Sequence, residues 1–335
     1  MKYRFLFVIG TVFCWGGALR ADGPETPRPP FAVPPRYGAV TDYYPGDASN
    51  RFPQTVILIQ DLHANVGVQK NIAATLYRLL RVNKIPSLLV CVEGASGEGD
   101  VSLLRSLPGP IRHGFEAMLL HKAYLTGAEL AATEAAADWP QQEVVLWYKF
   151  KSLFSQSPGL PPVSLSPIHL WGVDDPDLYR KNWHAAKVVD RQRFETLSYM
   201  RQTKAFLSEG AAEPLKQHLD LLTKLLMLRL QPKEYKEYVA GKSFNPGGPP
   251  VYLSSLAAAE TYYEAAELRS HAMAQNLIAK MGHTPGYTVL VTGGFHTQEI
   301  AEELKKRGLA YLVVTPRVEV LDQDDAYRAR LREEE

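Results

Sequence analysis

Thr55-Val-Ile-Leu-Ile-Gln60, running into Asp61-Leu-His63, is the stretch that decides how this chain is read. A continuous apolar, β-branched run of this length predicts a strand buried on both faces, as in a parallel sheet. Three further runs repeat the pattern. Ser87-Leu-Leu-Val-Cys-Val92 meets Glu93-Gly94, Ile168-His-Leu-Trp-Gly-Val173 meets Asp174-Asp175, and Tyr287-Thr-Val-Leu-Val291 meets Thr292-Gly-Gly-Phe-His296. Ligands of open α/β sheets bind beyond the carboxyl ends of the strands. If the four runs are neighbouring parallel strands, His63, Glu93, Asp174, Asp175 and His296 share one rim, which is the arrangement of an active site.

Between the first two runs, Ile72, Leu76, Leu79 and Leu80 recur at helical spacing and predict an amphipathic helix from Val66 to Val82. The resulting β-α-β unit has the length of a right-handed parallel crossover. Gly94 to Gly99 reads as a glycine-rich turn, and residues 101–137 as helical, with a capping box at Thr126-Gly-Ala-Glu129. Pro158, Pro161, Pro162 and Pro167 precede the third strand. Helical pattern returns over 176–230, where Leu215, Leu219, Leu222 and Leu226 form a packing stripe. A loop at 241–250 and a long helix over 254–281 follow. Then come a strand at 287–292, a helix at 297–307 closed by Gly308, and a strand at 310–315. The expected fold is therefore α/β. A mainly parallel sheet is flanked by helices, and a helical insertion at about 176–282 covers the carboxyl ends of the strands.

The ends of the chain read differently. Lys2 and Arg4 followed by the apolar stretch 5–15 resemble a signal peptide over residues 1–21, too short to span a bilayer, with an uncleaved amphipathic start as the alternative. Seven prolines between 24 and 45 suggest that 22–54 is a linker or extended arm leading to an α/β domain at 55–318, and 319–335 is a charged tail. Losing Lys2, Arg4 and Arg20 takes three cations and no acid from the formal charge of +1, leaving −2. Such a near-neutral chain has no basic footprint for nucleic acid. The mature chain would keep one cysteine, Cys91, inside a strand, so a disulfide framework is excluded. The expectation is an exported protein, periplasmic or secreted, with no transmembrane segment after signal removal.

Each candidate residue has a plain structural reading beside the functional one. His63 and His296 lie just past buried strands, where they act as general base or metal ligand, or merely bond the loops that hold them. Thr297 reads as a helix N-cap, placing the His296 ring in a field that keeps it neutral. Glu93 follows an apolar run and must be paired or hydrogen-bonded. It is a base, a ligand, a histidine orienter, or a cap on the 94–99 turn. Asp174 is the functional member of its pair, since Asp175 before Pro176 has the form of an N-cap with proline at the first helical position. Asp61 shares a strand face with His63 or caps a turn. Arg269, alone on its helix, has the pattern of a solvated charge. No HExxH, Gly-x-Ser-x-Gly or phosphate-binding glycine motif occurs.

Asp61-Leu-His63, Val92-Glu-Gly94, Gly172-Val-Asp-Asp175, Arg269 to Met273 and Gly293-Gly-Phe-His296 together resemble the EreA/ChaN-like superfamily. It includes erythromycin esterases, haem-binding ChaN-type lipoproteins and TraB/TIKI-type proteins. The resemblance spans about residues 55–317. It implies that His63 and His296 are the family's two histidines, Glu93 its acid after the second strand, and Arg269 the arginine of the TraB/TIKI branch. Gln60 and Asp61 depart from the family's Gly-Glu-x-His motif. Two activities follow as expectations. One is hydrolysis of an ester or amide in a small-molecule or peptide substrate. Its metal-free form uses a histidine base, Glu93 or Asp61 as orienter and Arg269 at the oxyanion. Its metal form places Zn²⁺, Mn²⁺ or a similar ion on His63, Glu93, Asp174 and His296. The other is non-catalytic binding of haem or another ligand, with Tyr124, Tyr179 or Tyr262 available to iron. A catalytically silent scaffold is a third possibility.

Overall fold

The computed structural model describes residues 29–47, 54–135, 166–208, 213–242, 247–282, 286–320 and 329. The expected signal peptide, Pro158, Pro161, Pro162, and most of the charged tail lie outside them. The four apolar runs form four adjacent parallel strands, as the expected fold requires: β2 (Gln54–Asp61), β6 (Gly286–Gly293), β3 (Leu88–Val92) and β5 (Ile168–Val173). Beyond β2 lies β7 (Tyr311–Pro316), also parallel. Both edges are antiparallel, β1 (Gly38–Tyr44) on β7 and β4 (Ser96–Gly99) on β5. The complete order is β1-β7-β2-β6-β3-β5-β4.

Both edge strands correct the sequence reading. The proline-rich stretch 22–54 contains β1, and Phe31 ahead of it is buried in the main core, so this stretch is not only a linker. Ser96–Gly99 is a strand rather than only a glycine turn. Gly172 permits it, because a Cβ there would come 2.1 Å from the Ala95 carbonyl carbon.

Strand side chains alternate between faces, and each face has its own helices. Ile57, Ile59, Val90, Val289, Val291, Leu312 and Val314 pack on α1 (Val66–Val82) and α4 (Gly127–Glu134). The stretch expected to be helical from 101 onward holds three helices among the described residues, α2 (Ser102–Ser106) and α3 (Gly109–His121) preceding α4, which keeps the Thr126 capping box. On the other face Val56, Leu58, Cys91, Leu290 and Val313 pack on two helices, α8 (Pro250–Lys280) and α9 (Gly294–Lys306). Cys91 is a free buried thiol, pushed up to about 12 by burial.

A third core is entirely helical. It is built by α5 (Pro176–Ser208), α6 (Glu213–Leu226), α7 (Pro232–Ala240) and the first half of α8. The 31-residue α8 is the shared element. Tyr252, Leu256 and Tyr263 belong to the helical core, while Met273, Ala274 and Leu277 belong to the sheet. Arg269 therefore stands where the helical insertion meets the carboxyl ends of the strands. No helix among the described residues is long and apolar enough to cross a membrane.

Candidate active site at the carboxyl rim of the sheet

β2 ends at Asp61, and the chain turns into α1 through a left-handed Ala64 (φ 65°), a conformation that residues with a Cβ seldom adopt. Asn65 then caps α1, its Oδ1 accepting from the Val68 N–H at 3.0 Å. The turn leaves the His63 ring over the strand end, with Nδ1 2.6 Å from Asp61 Oδ2. Asp61 Oδ1 accepts from Gln69 Nε2 at 2.5 Å, and Gln69 Oε1 accepts from the Gly127 N–H at 2.6 Å. The His–Asp pair is thus braced against the start of α4. Gln69 was not among the sequence candidates. Its signal is a polar side chain buried on the apolar stripe of α1, beside Val68 and Ile72.

Glu93 is the hub of the site. Its Oε2 accepts from Thr292 Oγ1 at 2.8 Å and from the Gly293 N–H at 2.7 Å, so it caps the N-terminus of α9, where a negative charge is favoured. Its Oε1 lies 2.9 Å from Arg269 Nη2 and 3.3 Å from His296 Nε2, while His63 Nε2 stands 3.9 Å from Oε2. Burial alone would raise this carboxyl, but His296, His63 and Arg269 overcome it and hold it well below the usual carboxylate range.

Arg269 is buried rather than solvated, 3% exposed, because two carboxylates lie beneath it. Nε and Nη2 grip Asp174 (3.1 and 2.5 Å), Nη2 also reaches Glu93, and Nη1 donates to Asn182 Oδ1 at 2.9 Å. Burial opposes the charge, yet Glu93 and Asp174 raise the guanidinium above its ordinary value. The Tyr179 ring covers it at 5.1 Å. Asp174 has no spare oxygen, since Oδ2 also accepts from the Gly94 N–H and Oδ1 from the Asp175 N–H, both at 3.0 Å. Gly94 turns there at φ +79°. Asp175 caps α5, accepting from the Asp177 and Leu178 N–H groups at 2.9 Å, and takes no part in the site.

His296 corrects a second expectation. The helix begins at Gly294 with Gly293 as N-cap, so His296 lies inside the first turn and Thr297 is not the cap. Its ring is 5% exposed, wedged between Glu93 and Ser270, whose Oγ is 2.8 Å from Nδ1. It holds Glu93 from behind and does not line the cavity.

His63 does. A cavity of about 210 Å³ is walled by Asp61, His63, Glu93, Arg269, Asn182 and an aromatic group of Tyr124, Tyr179, Trp183 and Tyr262. It has room for about seven waters at ~30 Å³ each. The His63 side chain is 44% exposed on this side. Burial would lower its pKa, but the Asp61 and Glu93 carboxylates raise it well above 6.5.

The donors expected for a metal do not fit a resident divalent ion. Asp174 and Glu93 are turned onto Arg269, which already supplies the positive charge between them. Among the described residues, only His113, Glu116 and Glu134 bring three potential ligand atoms within 4.8 Å of one another. In that separate cluster Arg112 Nε stands 2.8 Å from Glu134 and 3.7 Å from Glu116. Burial and the Glu134 charge push Glu116 up to about 7.

No family model matches the chain, and no curated protein matches it. Among solved structures, the chain is similar to a crystal structure of a Bacillus cereus protein at 13% identity and a TM-score of 0.22. The match covers 78% of this chain and 65% of that one.

Proposed function

We propose that this protein is a metal-independent hydrolase of ester or amide bonds, with His63 as its general base. The observation that carries the proposal is the His63–Asp61 pair opening onto a cavity at the carboxyl ends of parallel strands. Asp61 accepts the Nδ1 proton, which fixes the tautomer and leaves Nε2 facing the cavity. Neutral His63 takes a proton from water as that water attacks the acyl carbon. The acyl–oxygen or acyl–nitrogen bond then breaks, and the imidazolium returns the proton to the departing alcohol or amine.

Glu93 is not the base. Its oxygens are committed to Thr292, Gly293, Arg269 and His296, so its charge steadies the imidazolium that forms on His63. Arg269, itself gripped by Asp174, and His296 hold Glu93. The resemblance of the strand-end motifs to the EreA/ChaN-like superfamily supports the same reading. The cavity volume favours hydrolysis over haem binding, being below the ~300–1,000 Å³ usual for cofactor pockets.

The test is a panel of 4-nitrophenyl esters and anilides with acyl groups of increasing size, assayed with wild type and His63→Ala. The proposal expects turnover of compact substrates that His63→Ala loses by about 10²–10⁴-fold. Turnover that survives His63→Ala unchanged, or no turnover of any member, refutes it.

A further inference from the structure

A hydrolase needs a donor where negative charge develops on the substrate oxygen, and the hydrogen bonds of the cavity's side chains narrow the choice. Arg269, the residue expected at the oxyanion, commits four of its five N–H groups to Asp174, Asn182 and Glu93. It is neutralised by two carboxylates. Asn182 Nδ2 donates to the Tyr262 carbonyl, Gln69 Nε2 to Asp61, and Thr126 Oγ1 to Glu129. Tyr124 and Tyr179 have interactions of their own. Two donors are left. Trp183 Nε1 makes no hydrogen bond, but its ring is stacked on Tyr179 at 6.0 Å. Tyr262 also lines the cavity, and no hydrogen bond of its hydroxyl occurs among the described residues. A hydroxyl proton rotates to follow a developing charge, which an indole N–H fixed in a stack does not.

Resting on the hydrolase reading, we propose that the Tyr262 hydroxyl is the catalytic oxyanion donor, hydrogen-bonding the substrate carbonyl oxygen while His63 delivers water to its carbon. The helical insertion supplies this group. Tyr262 sits two turns before Arg269 on α8, its ring packed edge-on against Tyr263 at 5.1 Å, so the phenol is held by the third core. Burial raises its pKa, with Arg269 lowering and Glu93 raising it in turn, so the phenol keeps its proton and can donate it. The insertion thus completes the site rather than merely roofing it. The sheet brings the base, and the added helices bring the electrophilic partner.

The test compares Tyr262→Phe with wild type on whichever ester of the panel is turned over. The expected result is a kcat reduced about 10²–10³-fold with KM changed less than about threefold, and an unaltered melting temperature. An alkyl phosphonate, whose anionic oxygen mimics the developing charge, should lose affinity for the variant by a similar factor. Unchanged kcat and phosphonate affinity in an active enzyme overturn the role of Tyr262 and leave the hydrolase reading standing. A loss in kcat with a proportional loss of stability and unchanged phosphonate affinity also overturns it. A wild type inactive on every ester and anilide refutes the hydrolase reading itself.

Discussion

Replacing Arg269 by methionine tests the ionic hub directly. The substitution keeps a long apolar stem but removes the guanidinium that pairs Asp174 and Glu93. Breaking a buried ion pair from one side costs about 3–5 kcal/mol, because the remaining charge is left without its partner. The lower end applies here. Glu93 keeps Thr292, Gly293 and His296, and Asp174 keeps two backbone N–H groups. A loss of about 3 kcal/mol corresponds to roughly 6–12 °C in melting temperature for a chain of this size, at ~2–4 °C per kcal/mol. Urea unfolding at pH 7 measures it. Asp174→Asn in the same background removes one stranded charge, so the double variant should be more stable than the sum of the singles by ~1–3 kcal/mol. A loss below about 1 kcal/mol for Arg269→Met, or strict additivity, would mean that Arg269 is not the counter-charge of the two acids.

Three further outcomes follow from the same geometry. Glu93 has a depressed folded-state pKa, so its contribution to stability is present above its ordinary value and is lost as pH falls through the depressed one. Glu93→Gln should therefore flatten the acid limb of a stability–pH curve while lowering stability at neutral pH. His63 must be neutral to act as base, so the rate should rise with pH through its raised value, and Asp61→Asn should move that rise to lower pH while reducing the plateau. Gly172→Ala should detach β4, because its Cβ would sit 2.1 Å from the Ala95 carbonyl carbon; faster amide exchange over 96–99 would report it.

Much of this site could be read from the strand ends. The four apolar runs are adjacent parallel strands, and Asp61 lies in register with Gly293, so His63, Glu93, Asp174 and His296 do gather around one hub. What the sequence concealed was every feature fixed by a distant residue. The order of the strands, with β6 inserted between β2 and β3, has no local signal. Arg269 looked solvated because hydropathy favours burying its neighbour, yet Leu268 is 54% exposed and Arg269 is buried. The ion pair beneath α8 reverses the usual preference. The start of α9 has no local signal because its N-cap, Gly293, carries no side chain, and the carboxylate that holds the Gly293 N–H, Glu93, arrives from another strand. Tyr262 was one tyrosine among several until the bonds of its neighbours could be counted.

The role of His63 as base depends most directly on the protonation of its ring. Histidine ¹⁵N NMR titration of the wild type and Asp61→Asn should find His63 titrating well above 6.5, with Nδ1 protonated throughout, and falling towards the ordinary value in the variant. Below about 6.5 its pairing should stabilise the fold fully, and that contribution should fade as pH passes the raised value. A wild-type His63 that titrates at or below 6.5, indifferent to Asp61→Asn, would contradict the assignment of this pair as the working base.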